Sequence, residues 1–464
     1  MNEAVQKYVE KANKIQAERQ RYIKEEVKKW RFDTIAVHGT YSVNEAIENN
    51  QGAIIEPMFL SSAQAYRDCD EMEAAMTYQI PNWAYTRIHN PSQGYLEDTL
   101  ALLDGYGSGC ETSCFVTASG MAAISAAIHP LLAHKNGEAV NFVACAQVYG
   151  GTFQLFNVRR MQEQGIECRW VGDPNNLDEW KSKIDKNTRF LYGELPSNPG
   201  LSFFDLKKVC ALAHEHGLPF IADSTVATSA LLRPIEHGAD IVVHSVTKTM
   251  TSGGLTIAGA VIARKNIVCN LPNDAMKADF ARYCLLWPNR DSGGSLSPLH
   301  AILALNEIRT LRTRIDTLSQ SSMKVAKFLE QHPKVAKVNY LGLESHKLHG
   351  LAKKYLWLVD AKYDAQYGKD VNRYGHLLSF IPKGGVPAAR LALDGLKRIW
   401  RATDLGRIKS IATIPAISTH QQMGEESRSL AAIPGDLIRL SVGGEHPDDI
   451  INDLDQALAL AKVK

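Results

Sequence analysis

Long apolar runs are missing from this chain. The longest clean one, residues 256–263, is under half of the ~20 residues that a membrane-spanning helix requires, so a helical membrane span is excluded. Cysteine is scarce, with eight in 464 residues, which is far from a disulfide scaffold. Cys110 and Cys114 lack both a second close pair and a nearby histidine pair, so no metal site is expected. Charge of one sign is also lacking: 52 Lys and Arg against 50 Asp and Glu leave a net +2. A nucleic-acid partner would call for a basic stripe, and none is present. The first residues, MNEAVQKYVEKANK, contain acids early and no apolar segment, so they read as neither a secretory signal nor a transit peptide. Tandem repeats and low-complexity tracts are absent. The expected setting is a reducing, cytoplasmic one, with neither membrane nor nucleic acid as partner. What remains is a globular composition, 45% hydrophobic and 22% charged, long enough for two or three domains.

Residues 1–30 place Val5, Val9, Ala12, Ile15, Ile23, Val27 and Trp30 at near-helical spacing among dense charges. That pattern predicts an amphipathic helix packed on the body or on a neighbouring subunit, or else a surface extension. From about 140 to 263, short apolar runs (141–146, 168–171, 190–193, 219–222, 241–245) alternate with helical stretches (152–164, 178–184, 206–216). Such alternation implies βαβ units and a mostly parallel sheet, with ligands at the carboxyl ends of the strands. Beyond Pro298 the spacing predicts a long helix over about 299–330, then a small α/β region from 332. Residues 355–374 read as a loop or insertion, 436–443 as a strand and 448–463 as a closing helix.

The residues just after the apolar runs carry the chemistry. Asp223 follows PFIA, Ser245, Thr247 and Lys248 follow DIVVH, and Ser197 and Asn198 follow FLYGE. An acid, a lysine and an asparagine at one sheet edge suit pyridoxal phosphate. The lysine forms the Schiff base, the carboxylate keeps the pyridine nitrogen protonated, and the asparagine can donate to the phenolic oxygen. Ser119, Gly120 and Met121 precede a run of helix formers, so free N–H groups there could cradle the phosphate. His346 and His349 resemble a metal pair only by spacing, Cys145 reads as core, and Asp68, Asp70, Glu71 and Glu73 read as a solvated face.

These segments in this order resemble the Cys/Met-metabolism family of pyridoxal-phosphate enzymes: YTRIHNPS (85–92), ASGMAAI (118–124), VYGGTF (148–153), ELPSNP (194–199), IADSTVAT (221–228), GADIVVHSVTK (238–248), STHQQM (418–423) and LIRLSVGGEHPDDIINDLDQAL (437–458). The resemblance covers roughly 33–462. It implies an aspartate-aminotransferase-like α/β fold (fold type I) with a mostly parallel central sheet and a smaller C-terminal α/β domain. The expected division is a helical arm over 1–60, a cofactor domain over 61–298 and a C-terminal domain over 299–464. The resemblance assigns Lys248 to the Schiff base and to proton transfer, Asp223 to the pyridine nitrogen and Asn198 to the phenolic oxygen. Ser119, Gly120, Met121, Ser245 and Thr247 would hold the phosphate. Tyr85 and Arg87 would reach the phosphate bound by a neighbouring subunit, making a dimer the catalytic unit and commonly a tetramer. Tyr149 would stack on the ring and act as an acid–base group, and Arg439 would clamp the substrate α-carboxylate. By the same resemblance the substrate is a small amino acid.

YGGTF and THQQ look most like the sulfhydrylase branch, so γ-replacement on an activated homoserine, with sulfide or a thiol as nucleophile, is the expected activity. The alternative is a γ-lyase acting on methionine, cystathionine or a cationic homoserine-type amino acid. A non-catalytic relative is disfavoured because Lys248, Asp223, Tyr149 and Arg439 are all present. Methionine γ-lyases usually carry a cysteine where this chain has Gly151. Three other positions depart from the family. After Lys248 come Thr249-Met250-Thr251-Ser252-Gly253-Gly254, with neither the usual aromatic residue nor the histidine. Ser224 stands where asparagine is usual. Asp404 replaces a Ser or Asn before Leu405-Gly406 and is assigned to the substrate site. A carboxylate there would meet either a substrate cation or a local arginine such as Arg407.

Overall fold

The computed structural model describes residues 3–81, 83–135 and 137–461. Its larger sheet has seven strands: β1 (Thr112–Thr117), β2 (Asn141–Cys145), β3 (Glu167–Val171), β4 (Thr188–Glu194), β5 (Phe220–Asp223), β6 (Ile241–His244) and β7 (Gly259–Arg264). They lie in the order β1-β7-β6-β5-β4-β2-β3, and β7 runs antiparallel to both its neighbours. The other pairings are parallel. The five runs predicted between 140 and 245 are β2 to β6; all but the edge strand β3, which is only partly buried, are buried on both faces and hence nearly unbroken in hydrophobicity. β1 and β7 escaped the sequence pattern. β1 begins with Thr, Ser and Cys and is only half-buried there, so its apolar signal is short.

A second sheet comprises β8 (Val335–Asn339), β9 (Leu377–Pro382), β10 (Trp400–Arg401), β11 (Ile411–Thr413) and β12 (Ile438–Ser441), in the order β10-β11-β12-β9-β8. Arg439 sits in its middle strand, opposite Thr413 on one side and Ser379 on the other. The connectivity accounts for the active-site geography. β4, β5 and β6 are adjacent and parallel, so their carboxyl ends deliver Glu194, Asp223 and Ser245 side by side.

The helix predicted over 299–330 is two helices, Pro298–Ile308 and Leu311–Gln331. At the break, the Arg314 guanidinium turns back to donate to the Glu307 carbonyl and to the turn after Lys248. The closing helix is Pro447–Leu460; the predicted residues 462 and 463 lie outside the described residues. The N-terminal helix, Glu3–Glu25, packs on the helix Cys69–Met76 of the same chain. Val5 is buried there, and Tyr8 donates to Asp68 at 2.6 Å. Val27, Phe32, Ile35 and Ala36 then enter the main core. The acidic cluster is the solvated face expected, with Asp68 and Glu73 exposed and Asp70 and Glu71 partly so, and two of its members also fix the local backbone. Asp68 is the N-cap of Cys69–Met76, accepting from Glu71 N at 2.8 Å, and Glu71 accepts from Arg67 N. Residues 355–374 form an irregular crossing with one helical turn at Ala361–Tyr363, anchored by buried Leu356, Leu358 and Val359. Among the described residues, no helix is long and apolar enough to cross a membrane.

Candidate active site

A cavity of about 230 Å³ opens where the carboxyl ends of β4, β5 and β6 face the second sheet. Ser119, Gly120, Met121, Tyr149, Asn198, Asp223, Ser245, Thr247, Lys248 and Arg439 all line it. They come from six separate strand ends, helix starts and strands, up to hundreds of residues apart in sequence. Tyr85 and Arg87 lie outside this lining. The Tyr85 ring is 46% exposed, and Arg87 donates to the Arg290 carbonyl.

Asp223 is buried, accepting from Thr225 N at 3.0 Å and from the Tyr192 hydroxyl at 3.4 Å. It has no ion-pair partner among the described residues. Burial pushes its carboxyl above the ordinary range. Glu194, also buried, takes Tyr149 N and Asn198 N, both at 2.7 Å, and thereby fixes both segments. Its own carboxyl is pushed well up, by burial first and then by Asp223. A buried acid without a cation, at the floor of a cavity, matches a protonated ring nitrogen. Thr225 ties two strand ends together, because its hydroxyl also accepts from Ser245 N at 2.8 Å. Ser224 points into the core, so that departure from the family leaves the cavity lining intact.

The phosphate end is built by close approach. Ser119 caps the helix Gly120–Ile128 by accepting from Ala122 N. A Cβ added to Gly120 would lie 2.6 Å from Ser245 Cβ and 2.9 Å from its Cα. Only glycine lets the N–H groups at this helix start come close enough to the Ser245 side chain for the two to share one anion site. The donor set and the unpaired Asp223 both fit pyridoxal phosphate.

On the opposite wall, Arg439 is fully buried. Burial lowers its pKa to about 10, so it stays cationic at neutral pH. One terminal nitrogen donates to Asn198 Oδ1 at 3.2 Å; the other donates to Thr403 O at 3.1 Å and Asp404 O at 2.6 Å. Its Nε is buried without a partner, a donor held in reserve for an anion. Tyr149 is 38% exposed, and His420 meets its ring edge-on at 6.3 Å. His420 is the histidine of the THQQ segment, and burial lowers its pKa to about 4. Thr419 O closes so tightly on Gly150 that a Cβ there would collide with it.

Asp404, the anticipated odd carboxylate, is paired. Lys248 Nζ donates to its Oδ1 at 2.6 Å, and Arg407 Nε donates to Oδ2. Burial alone would raise the Asp404 pKa, but these two cations outweigh it and hold it below the usual range. Of the two expectations, the local arginine is the one the structure shows. Glu194, His420, Thr225 and His376 carried no role in the sequence reading. Glu194 had a signal, an acid at a strand end four residues before Asn198.

His376 links the turn after Lys248 to the second sheet. Its Nε2 meets Thr249 Oγ1 at 2.7 Å and its Nδ1 meets Ser441 Oγ at 3.1 Å. Burial, reinforced by Arg439, lowers its pKa to about 4 from 6.5. A histidine depressed in the folded state binds fewer protons than when unfolded, so its stabilising effect is lost as pH falls from 6.5 toward 4. The melting temperature should therefore drop over that window, and less steeply in His376→Gln. Parallel curves for the two proteins would contradict this role.

Comparison with known proteins agrees with the geometry. The family described as "Cys/Met metabolism PLP-dependent enzyme" matches residues 33–459. The homocysteine synthase of Schizosaccharomyces pombe is 33% identical, over 93% of this chain and 98% of that protein. An L-methionine gamma-lyase of Fusobacterium nucleatum subsp. polymorphum is 35% identical, over 93% and 99%. Among solved structures, a Campylobacter jejuni protein proposed to be an O-acetylhomoserine (thiol)-lyase superposes with a TM-score of 0.82 at 33% identity, covering 93% of this chain and all of that one. It carries pyridoxyl-lysine monophosphate.

Proposed function

Because the chain belongs to the Cys/Met metabolism family of pyridoxal-phosphate-dependent enzymes, we propose that it replaces the γ-substituent of an activated, neutral homoserine ester with sulfide or a thiol. The observation that carries this reading is Gly151. A Cβ there would sit 2.5 Å from the Tyr149 ring and 3.2 Å from Met121 Sδ, so Tyr149 packs into the space that a cysteine would need. The pairing of Asp404 with Arg407 also removes that carboxylate as the partner of a cationic substrate. γ-Elimination is the second reading, favoured by the 35% identity to a methionine gamma-lyase.

Pyridoxal phosphate, when bound, supplies the electron sink that makes the substrate α-proton removable. The chain's residues do the rest. Arg439 holds the substrate carboxylate and so aims the α-hydrogen at Lys248. With the cofactor bound, Asp223 would keep a proton on the ring nitrogen, and Asn198, held by Glu194 and Arg439, would donate to the phenolic oxygen. The Lys248 amine moves protons from Cα, and the Tyr149 phenol donates one to the departing group. Ser119, Gly120, Met121, Ser245 and Thr247 would hold the cofactor's phosphate. The exposed Tyr85 and the outlying Arg87 support a homo-oligomer with a dimer as catalytic unit, each copy completing the other's phosphate site. We place the enzyme in the cytoplasm.

O-acetylhomoserine should yield homocysteine only when sulfide is present, measured together with 2-oxobutanoate. Oxoacid formed regardless of sulfide would make the enzyme a γ-lyase.

A further inference from the structure

The segment after Lys248 and the residue at 404 both depart from the family pattern, and in the folded protein they form one unit. Two guanidinium groups fasten the carbonyls of the turn 247–251, adding to the bonds that Thr247 O accepts from the Thr251 hydroxyl and Thr249 O from the Ser252 hydroxyl. Arg407 Nη1 donates to Thr247 O at 2.6 Å and Thr251 O at 3.0 Å. Arg314 Nη2 donates to Thr249 O at 3.1 Å and Met250 O at 2.9 Å. Gly406, with φ at +73°, lies so close to the turn that an added Cβ would be 2.5 Å from Thr249 N. An aromatic side chain at 249 would fall where His376 now reaches the Thr249 hydroxyl. The segment 404–407 is thus seated on the lysine turn, and its seat presents Asp404 to the amine.

We propose that Asp404, gripped by Arg407, is a positioning residue for Lys248. It holds the amine whenever that amine is not bonded to the cofactor and provides the counter-charge when it is. Three features of the geometry carry this assignment. The carboxylate is itself anchored, since Arg407 takes one oxygen while Leu405 N at 2.9 Å and Lys248 Nζ share the other. The arginine that anchors it is in turn locked to the carbonyls on both sides of Lys248. The Asp404 carbonyl takes Arg439 Nη2, so a single residue sets the distance between the lysine and the carboxylate clamp. A serine or asparagine there could accept a hydrogen bond but could not balance a charge.

The other charged or titratable groups around the amine are Arg439, Asp223, Glu194, Tyr149 and His244 in the cavity lining, with Arg314 and His376 behind the turn. Asp404 is the carboxylate within hydrogen-bonding reach of Nζ. Removing its charge while keeping its shape isolates its effect.

The inference rests on Lys248 being the residue that bonds the cofactor. The test is a pH titration of the visible absorbance of reconstituted holoenzyme, comparing the parent with Asp404→Asn and Asp404→Ser. Loss of a neighbouring opposite charge should move the midpoint of that titration down by about 1 pH unit in both variants. A purely structural role would change melting temperature or cofactor retention and leave the midpoint in place. A midpoint unchanged in both cofactor-loaded variants overturns the proposal. A visible band that survives in Lys248→Ala would instead fault the assignment of the lysine, a separate failure.

Discussion

Lys248→Ala will lose its covalently attached cofactor and nearly all of its turnover while keeping its fold. The side chain is 28% exposed, so its truncation opens no core cavity, and Asp404 retains its pair with Arg407. The melting temperature should stay near that of the parent. A positioned proton-transfer group contributes roughly 10²–10⁴-fold on its own, and the lysine also tethers the cofactor, so the loss should reach or exceed the upper end of that range. Borohydride reduction followed by peptide mapping checks the assignment directly. The parent should carry a pyridoxyl label on the peptide containing Lys248, and the variant none. A label of equal yield elsewhere in the variant would remove Lys248 from its role.

The second large effect is expected at Arg439. Its guanidinium makes three directed bonds to fixed oxygens while keeping a buried Nε free, and an ammonium group cannot reproduce that fork. Arg439→Lys keeps the charge but strands at least one of Asn198 Oδ1, Thr403 O and Asp404 O. Disrupting one side of a buried charged contact costs about 2–5 kcal/mol, or roughly 30- to several-thousand-fold in kcat/KM. Because the carboxylate is bound in both ground and transition states, most of the loss should appear as a raised KM. The visible spectrum of the bound cofactor should be preserved. A normal KM for the amino-acid substrate in this variant would show that the carboxylate is held elsewhere.

Much of this site is visible along the chain because the fold places chemistry at strand ends. An apolar run followed by an acid (Asp223), or by Ser-x-Thr-Lys (245–248), carries its own positional information once the βαβ rhythm is recognised. Glycine at 120 before a helix-forming run carries similar information for the phosphate. The local run of hydrophobicity likewise specified β2 to β6, of which all but the edge strand β3 are buried on both faces and read as nearly continuous apolar segments. It failed at β1, whose first half is only half-buried and opens on Thr and Ser, and at the break near residue 309, where two helices share one unbroken periodic pattern.

What the sequence by itself determined was therefore the set of reactive side chains, their order and the alternating architecture that carries them. What only the tertiary structure decided was which of them meet. Lys248 and Asp404 lie 156 residues apart, and their 2.6 Å contact depends on how the second sheet docks over the ends of the first. The free edge of Arg439, the Glu194 carboxylate that pins Tyr149 and Asn198, and the His376 bridge likewise join distant segments. Such contacts leave no periodic trace in the chain, because local periodicity records only which face of an element is buried. Whether a half-buried carboxylate meets an arginine of its own protein is settled by three-dimensional distance, and here Asp404 meets Arg407.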